Sequence, residues 1–239
     1  MSHSAQHAAG NLRSIVNMLL AVMFFSLMDA VLKTLSAHYP PLQMACLRGL
    51  TALPLVLAWI QWRRGWGRLK NLRWSLHILR GLLGITMLSL FTRGVSELPL
   101  SATYTIFFIA PLLITALSVP VLKERVPQAH WWAIGVGFIG VLVAIRPSGG
   151  DLQAGFATTG GIAVIIAAFC YAVAAVAGRL LSRTDSTESL ILTMMLFMSV
   201  GGGLLAWSDW KPVSLDHTAL LLALAVTGFL GQLTINEAF

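Results

Sequence analysis

Apolar runs recur along this chain at short intervals, and most are long enough to cross a membrane. At 1.5 Å per residue, about 20 helical residues span the ~30 Å hydrocarbon layer of a bilayer. A backbone in lipid must also satisfy its own hydrogen bonds. The chain is therefore predicted to be an all-α polytopic membrane protein with eight transmembrane helices. They are predicted at residues 14–36, 41–62, 74–95, 100–121, 130–146, 159–181, 189–208 and 218–239.

The basic charge of the chain fits this topology better than a nucleic-acid partner. The sixteen Lys and Arg residues outnumber nine Asp and Glu residues, which gives a net charge of +7. The connection at residues 63–73 holds five of the basic residues, so the positive-inside rule makes it cytoplasmic. Because successive connections lie on alternate sides of the membrane, ten basic residues then fall on the cytoplasmic side and three on the opposite side. Three more lie within predicted spans. We expect a protein of the inner (plasma) membrane, with both termini of this chain cytoplasmic.

Residues 99–147 carry the most informative pattern. Two apolar runs are joined there by the short charged turn at residues 123–127. Pro111 and Pro120 interrupt the first run, because proline removes a backbone donor. Glycines open one side of the second run to close approach by a neighbouring backbone. These glycines are Gly135, Gly137 and Gly140.

With Leu122-Lys-Glu124, Trp132 and Arg146-Pro147, this hairpin resembles the end of the repeat unit of the drug/metabolite transporter superfamily (EamA-type). The resemblance implies a secondary transporter for a small organic metabolite or drug-like solute. It also implies a fold of ten spans in two units of five.

The sequence repeats itself in a way that agrees with this resemblance. Lys33-Thr-Leu-Ser36 matches Arg179-Leu-Leu-Ser182 at an offset of 146, and Gly81-Leu-Leu-Gly84 matches Gly228-Phe-Leu-Gly231 at an offset of 147. The matched spans lie five helices apart. Because five is odd, the second unit enters the membrane from the opposite side, which gives an inverted repeat.

These patterns divide the chain into three parts. We assign 1–13 to a cytoplasmic N-terminal tail, 14–147 to a first EamA-like repeat of five helices, and 159–239 to a second repeat of three. This 5 + 3 arrangement is incomplete beside the ten-span pattern. The chain is accordingly expected to be either a fragment or a natural short form.

Ionisable residues within spans need a partner, water or a function, because their insertion into a bilayer is costly. Asp29 and Arg48 are both about 10 Å from the outer ends of their spans, at 1.5 Å per residue. One interpretation is a structural ion pair, with Lys33 as a further partner of Asp29 at i, i+4 spacing. The other is that the cluster lines a cavity and contacts substrate. Arg80 likewise either snorkels to the inner headgroups or lines the cavity.

The resemblance places Tyr104 and Phe107 beside a central cavity, with Thr105 next to Tyr104. Helix packing is the alternative role for this aromatic stripe. The candidate substrate-binding residues are therefore Asp29, Arg48, Arg80, Tyr104, Phe107 and Thr105.

No sequence motif supports an enzyme or a metal site. HExxH, GxSxG, GxxxxGK[ST] and CxxC are all missing from the sequence. We expect a transporter that works by alternating access on a small-molecule substrate, without a cofactor. A non-transporting membrane scaffold is the alternative. Arg48 and Arg80 favour a substrate with a carboxylate or another anion.

Overall fold

The computed structural model describes residues 3–63, 65–69, 72–123, 126–144 and 158–238. All regular structure in these residues is helical, as predicted for an all-α protein. The helices are α1 (His3–Leu35), α2 (Pro41–Trp62), α3 (Trp74–Glu97), α4 (Leu100–Phe107), α5 (Ala110–Leu122), α6 (Gln128–Ala144), α7 (Thr159–Leu181), α8 (Thr187–Leu196), α9 (Gly202–Ala206) and α10 (Thr218–Ala238).

Seven spans in the described residues are long and apolar enough to cross a membrane, which confirms a polytopic membrane protein. They are Ser14–Leu35, Pro41–Trp62, Trp74–Glu97, Leu100–Leu122, Thr159–Leu181, Thr187–Asp209 and Leu215–Ala238. The remaining predicted span corresponds to α6, whose described part is 17 residues long. The end of that span and the following connection, residues 145–157, lie outside the described residues.

Several helix ends follow directly from local sequence. Thr158 caps α7 by accepting a hydrogen bond from the Gly161 amide at 3.1 Å, and Ser186 caps α8 by accepting from the Ser189 amide at 3.2 Å. Such caps satisfy amides that have no partner within the helix. The first helix begins earlier than the predicted span, since residues 3–13 are also helical and continue into the span that begins at Ser14.

The fourth span is broken near Pro111, as predicted. It consists of α4 and α5, separated by a turn at residues 108–109. Pro120, in contrast, lies inside α5 without ending it. Lys123 then stops α5 with a left-handed backbone (φ 55°), a conformation that commonly ends helices.

Three pairings organise the bundle. α3 packs along α7, α1 packs along α10, and α2 crosses α8 and the π-helical turn Phe197–Gly201 that follows it. At this crossing the two backbones touch. A Cβ on Gly49 would lie 2.5 Å from the Ser199 nitrogen and 2.7 Å from the Met195 oxygen. Only glycine permits this approach.

Gly135 and Gly137 of α6 do not have the close neighbour that their spacing predicts, whereas the surroundings of Gly140 lie outside the described residues. Among the described atoms, none lies within 4 Å of the Cβ position of Gly135, and Gly137 meets the Phe108 ring at 3.6 Å. In the described residues α6 packs mainly against α5. The main apolar core lies elsewhere, where side chains of α1, α2, α3, α8 and α10 meet.

Candidate functional site

A cavity of about 240 Å³ lies among α1, α2, α3, α4, α7, α8 and α10. Its wall is mostly apolar, with a few polar side chains directed into it, which is typical of small-molecule sites. Drug-sized ligands occupy sites of roughly 300–1,000 Å³, so this cavity suits a small metabolite. The polar side chains in its wall are those of Ser26, Asp29, Arg48, Arg80, Tyr104, Tyr171, Gln232 and Asn236.

The structure brings together most of the side chains predicted from the sequence. The cavity wall includes Asp29, Arg48, Arg80, Tyr104 and Phe107. Thr105 is buried outside that wall, and its hydroxyl donates to the Ser101 carbonyl at 2.8 Å. Consecutive residues of a helix differ by about 100° in direction, so Thr105 cannot share the face of Tyr104.

The carboxylate of Asp29 is bound by a tyrosine. Tyr104 Oη donates to Asp29 Oδ2 at 2.6 Å, which connects α1 to α4. Asp29 and Arg48 attract each other electrostatically. However, no ion pair within 4 Å joins them among the described residues. The predicted interaction is therefore present as an electrostatic attraction and not as a direct ion pair in the described residues, since the tyrosine hydroxyl makes the short contact with the carboxylate.

Lys33 also differs from the predicted role. Its Nζ donates to the carbonyl oxygens of Val95 and Leu98, the latter at 3.0 Å. The last carbonyls of a helix have no amide partner within that helix. Lys33 therefore ties α1 to the C-terminal end of α3 instead of adding to the charge cluster at Asp29.

The guanidinium of Arg48 is buried, and it has no hydrogen-bonded partner among the described residues. Arg48 is only 3% exposed, and its Cζ lies 5.9 Å from the centroid of the Phe25 ring. Its Nε has no acceptor among the described protein atoms. The side chain lies against Gly228 on α10, where a Cβ would be in ordinary van der Waals contact with Nε at 3.6 Å.

Arg80 lines the cavity instead of snorkelling to the headgroups. It is 7% exposed, and its Nη1 donates to the Leu190 carbonyl on α8 at 3.0 Å. Its Nε lies 3.3 Å from the Cβ position of Gly178 on α7. The glycine gives the side chain a groove to lie in, so it stays within the bundle.

Aromatic rings connect the two ends of the cavity wall. Phe91 packs edge-on against Tyr104 at 6.2 Å and against Phe107 at 5.2 Å between centroids. Phe107 packs in turn against Tyr171 at 5.4 Å. These distances are typical of stabilising aromatic pairs, so the rings serve both as packing and as cavity wall.

Four polar residues of the wall were not predicted from the sequence, namely Ser26, Tyr171, Gln232 and Asn236. Tyr171 lies at an offset of 146 from Phe25, which also lines the cavity, so the internal repeat contained that signal. Gln232 and Asn236 have i, i+4 spacing in an otherwise apolar helix, which places both on one face. The amide nitrogen of Asn236 is buried and has no acceptor among the described atoms.

A second polar cluster lies outside the cavity, at the N-terminal end of α3. His77 Nε2 lies 2.8 Å from Asp185 Oδ2, and His77 Nδ1 lies 2.8 Å from the Thr193 hydroxyl. Burial alone would raise the pKa of Asp185. Hydrogen bonds from Thr184, His77 and the Arg73 amide outweigh it and lower that pKa below its ordinary value. The cluster fastens α3 to the turn between α7 and α8.

Sequence comparison identifies the family. The profile of the EamA-like transporter family matches residues 12–146. The chain belongs to this family. Among its relatives, the pseudopaline exporter CntI of Pseudomonas aeruginosa is 27% identical over 221 residues, which cover 92% of this chain and 76% of the relative.

Other relatives have similar coverage and different substrates in their names. The S-adenosylmethionine uptake transporter of Rickettsia bellii is 26% identical over 225 residues, covering 92% of this chain and 74% of the relative. The riboflavin transporter of Vibrio cholerae is 25% identical over 226 residues, covering 93% and 74%. These names are those of transporters, not of enzymes. With the seven spans, they support a multi-pass inner-membrane protein.

A known crystal structure shares the fold. It superimposes with a TM-score of 0.72 at 20% sequence identity, covering 96% of this chain and 78% of the other. At this identity the likeness concerns the fold alone.

Proposed function

We propose that this chain moves a small organic solute across the membrane by alternating access, with the cavity as its substrate site. The observation that carries the proposal is the composition of the cavity wall. Buried charged side chains of α1, α2 and α3 meet polar side chains of α7 and α10 there. The wall therefore combines residues of both assigned repeats, 14–147 and 159–239.

The helix pairings support an inverted repeat of this kind. By the sequence offset, α1 corresponds to α7 and α3 corresponds to α10. Under this correspondence, the helix pair α3–α7 is equivalent to the helix pair α10–α1. Both pairs are in extensive contact. In secondary transporters, such related halves exchange conformations and expose a midplane site to each side in turn.

The matched glycines admit side chains of neighbouring helices in both units. At the offset of 147, Gly84 of α3 corresponds to Gly231 of α10. A Cβ on Gly84 would lie 2.1 Å from the methyl carbon of Met194, and a Cβ on Gly231 would lie 2.8 Å from the Phe25 ring. This similarity supports the proposed duplication.

Flux measurements in proteoliposomes test the proposal. The solutes to be tested are S-adenosylmethionine, riboflavin and a set of organic acids. The first two are included because two relatives are named as their transporters. We expect saturable flux of at least one solute, and a decrease of about tenfold or more in Arg80→Gln, which loses a charged contact. Arg93→Gln is the matched control, because it also removes one positive charge but is largely exposed.

Two results would count against this proposal. One is the absence of saturable flux for every solute, which would favour the scaffold alternative. The other is equal flux in Arg80→Gln and Arg93→Gln, which would place the substrate path outside this cavity.

The proposed topology has its own test. The basic bias of the 63–73 connection places it in the cytoplasm. Gly67→Cys and Leu215→Cys are made in a background lacking Cys46 and Cys170. Gly67 has no atom within 4 Å of its Cβ position, and Leu215 is 89% exposed. An impermeant maleimide added to whole cells should label Leu215→Cys only, and the reverse pattern would invert the topology.

A further inference from the structure

The cavity wall contains more positive charge than the protein neutralises. Arg48 and Arg80 are 3% and 7% exposed, and neither has an acidic partner within 4 Å in the described part of the chain. Asp29 supplies one carboxylate, and Tyr104 already donates to it. Buried charges are normally paired, because burial of an unpaired charge is unfavourable. The wall therefore has an excess of one positive charge.

The same wall has an excess of hydrogen-bond donors. Arg48 Nε and Asn236 Nδ2 have no acceptor among the described protein atoms, although both residues are more than nine-tenths buried. Arg80 uses one nitrogen on the Leu190 carbonyl. A guanidinium carries five N–H donors and no acceptor, so most of this donor capacity is not used by the described protein atoms.

We propose that the cavity recognises its solute through a carboxylate group, which Arg48 binds and Arg80 helps to attract. This inference rests on the proposed function, because it names the substrate class of the same site. A carboxylate offers two acceptor oxygens that match the fork of a guanidinium. Its single charge equals the excess in the wall, whereas a phosphate monoester carries nearly two at neutral pH.

The remaining wall indicates what the carboxylate is attached to. Phe91, Phe107 and Tyr171 form a continuous series of packed aromatic rings in the same cavity wall as the charged side chains. An apolar or aromatic body attached to the carboxylate would pack there. The site thus fits a small organic acid better than a strongly hydrated inorganic anion.

Ligand-dependent stability tests this inference without any measurement of flux. The purified chain is unfolded by heat in detergent at constant ionic strength, with tryptophan fluorescence as the signal. The probes are benzoate, hexanoate and glutarate, each beside its own amide, together with phenyl phosphate. A ligand that binds only the folded state raises the midpoint. We expect a concentration-dependent rise with at least one acid and none with its amide.

The Arg48→Gln variant separates ligand binding from a structural role. Loss of a charge-assisted contact should weaken acid binding about 10- to 100-fold. Without ligand, the midpoint of this variant should equal or exceed that of the parent chain, because an unpaired buried charge has been removed. Arg48→Lys should retain part of the response. Arg93→Gln should retain all of it.

Four outcomes would overturn the inference. They are stabilisation by an amide equal to that by its acid, no stabilisation by any of the acids, an undiminished response in Arg48→Gln, and a stronger response to phenyl phosphate than to benzoate. Flux gives an independent result. A chain that binds acids but moves no solute contradicts only the proposed function, and one that moves solutes without Arg48 contradicts only the carboxylate site.

Discussion

The crossing of α2 with α8 and the neighbouring cavity are built in opposite ways. At the crossing, Gly49 touches the backbone of α8, and a Cβ on Gly202 of α9 would lie 2.8 Å from the Cys46 nitrogen. No side chain separates the two helices there. In the cavity, side chains do not fill the space, and two buried guanidiniums have no acidic partner within 4 Å in the described part of the chain.

One turn of α2 serves both regions. Arg48 and Gly49 are adjacent, and a helix turns about 100° per residue. Gly49 therefore faces α8 while Arg48 faces the cavity. In lipid, helices associate mainly through close packing and hydrogen bonds. We therefore expect stability to be concentrated at the close crossing, so that the cavity wall can hold groups that the fold itself does not need.

The largest expected effect comes from filling the crossing. In Gly49→Ala, the new methyl group would clash with backbone atoms of α8, which cannot rotate away, so we expect a loss of about 3 kcal/mol of folding free energy. Gly135→Ala in α6 is the control, since its Cβ position has no atom within 4 Å. Reversible denaturation in mixed micelles measures both. Equal stability of the two variants would mean that the crossing is not the rigid element.

Much of the fold could be predicted because membrane spans are simple signals. The α2 and α7 limits agree with the apolar runs at 41–62 and 159–181. The early start of α1 could not be predicted, because the apolar pattern reports the extent of the membrane-spanning part of a helix and not the whole helix. The free glycine face of α6 was also missed, since spacing shows that close approach is possible but not that a neighbour exists.

Site residues could be predicted where the argument was the free energy needed to bury a charge in the membrane. Charges in apolar runs are rare, so Asp29, Arg48 and Arg80 stood out and do line the cavity. Their partners could not be predicted. Asp29 and Arg48 were predicted to lie at the same depth in the membrane, but equal depth does not specify which of several nearby groups contacts Asp29. In the structure, the Tyr104 hydroxyl makes that contact. The prediction for Thr105 failed for a related reason, because residues that are neighbours in sequence point to different faces of a helix.

A double-mutant cycle measures how strongly Asp29 interacts with each of its neighbours in the cavity. Asp29→Asn, Tyr104→Phe and the double variant should show a coupling of about 1.5–3 kcal/mol, as expected for a hydrogen bond to a charged group. The cycle of Asp29→Asn with Arg48→Gln should show a smaller coupling, because no short contact joins that pair. Chemical denaturation in detergent measures both cycles. A larger coupling for Asp29 with Arg48 would restore the ion pair predicted from the sequence.

Variants in the cluster around His77 test whether polar groups outside the cavity stabilise the fold. Asp185→Asn should lose about 1–2 kcal/mol at neutral pH, because it weakens the hydrogen bonds from His77 and the Arg73 amide. The folded-state pKa of Asp185 lies below its ordinary value of 3.8. Its contribution is therefore complete above about pH 5 and is lost as the pH falls through the folded-state pKa.

The stability difference between parent and Asp185→Asn should accordingly narrow as the pH falls from about 5 to about 3. Thermal unfolding at stepped pH measures it, with Asp209→Asn as a matched exposed-carboxylate control. A difference that widens toward acid pH would reverse the sign of the pKa shift.

The smallest effect is expected on the exposed surface of α3. Arg93 Nε lies 2.5 Å from Glu97 Oε1 at i, i+4 spacing, with side chains 54% and 32% exposed. This contact is shorter than any that Arg48 makes, yet exposed pairs contribute only about 0.2–0.5 kcal/mol because water and salt screen them. Arg93→Gln should therefore change stability by about 0.5 kcal/mol or less, and raising the salt concentration should reduce even that. A loss near that of Gly49→Ala would show that contact geometry, not burial, determines where this fold is stable.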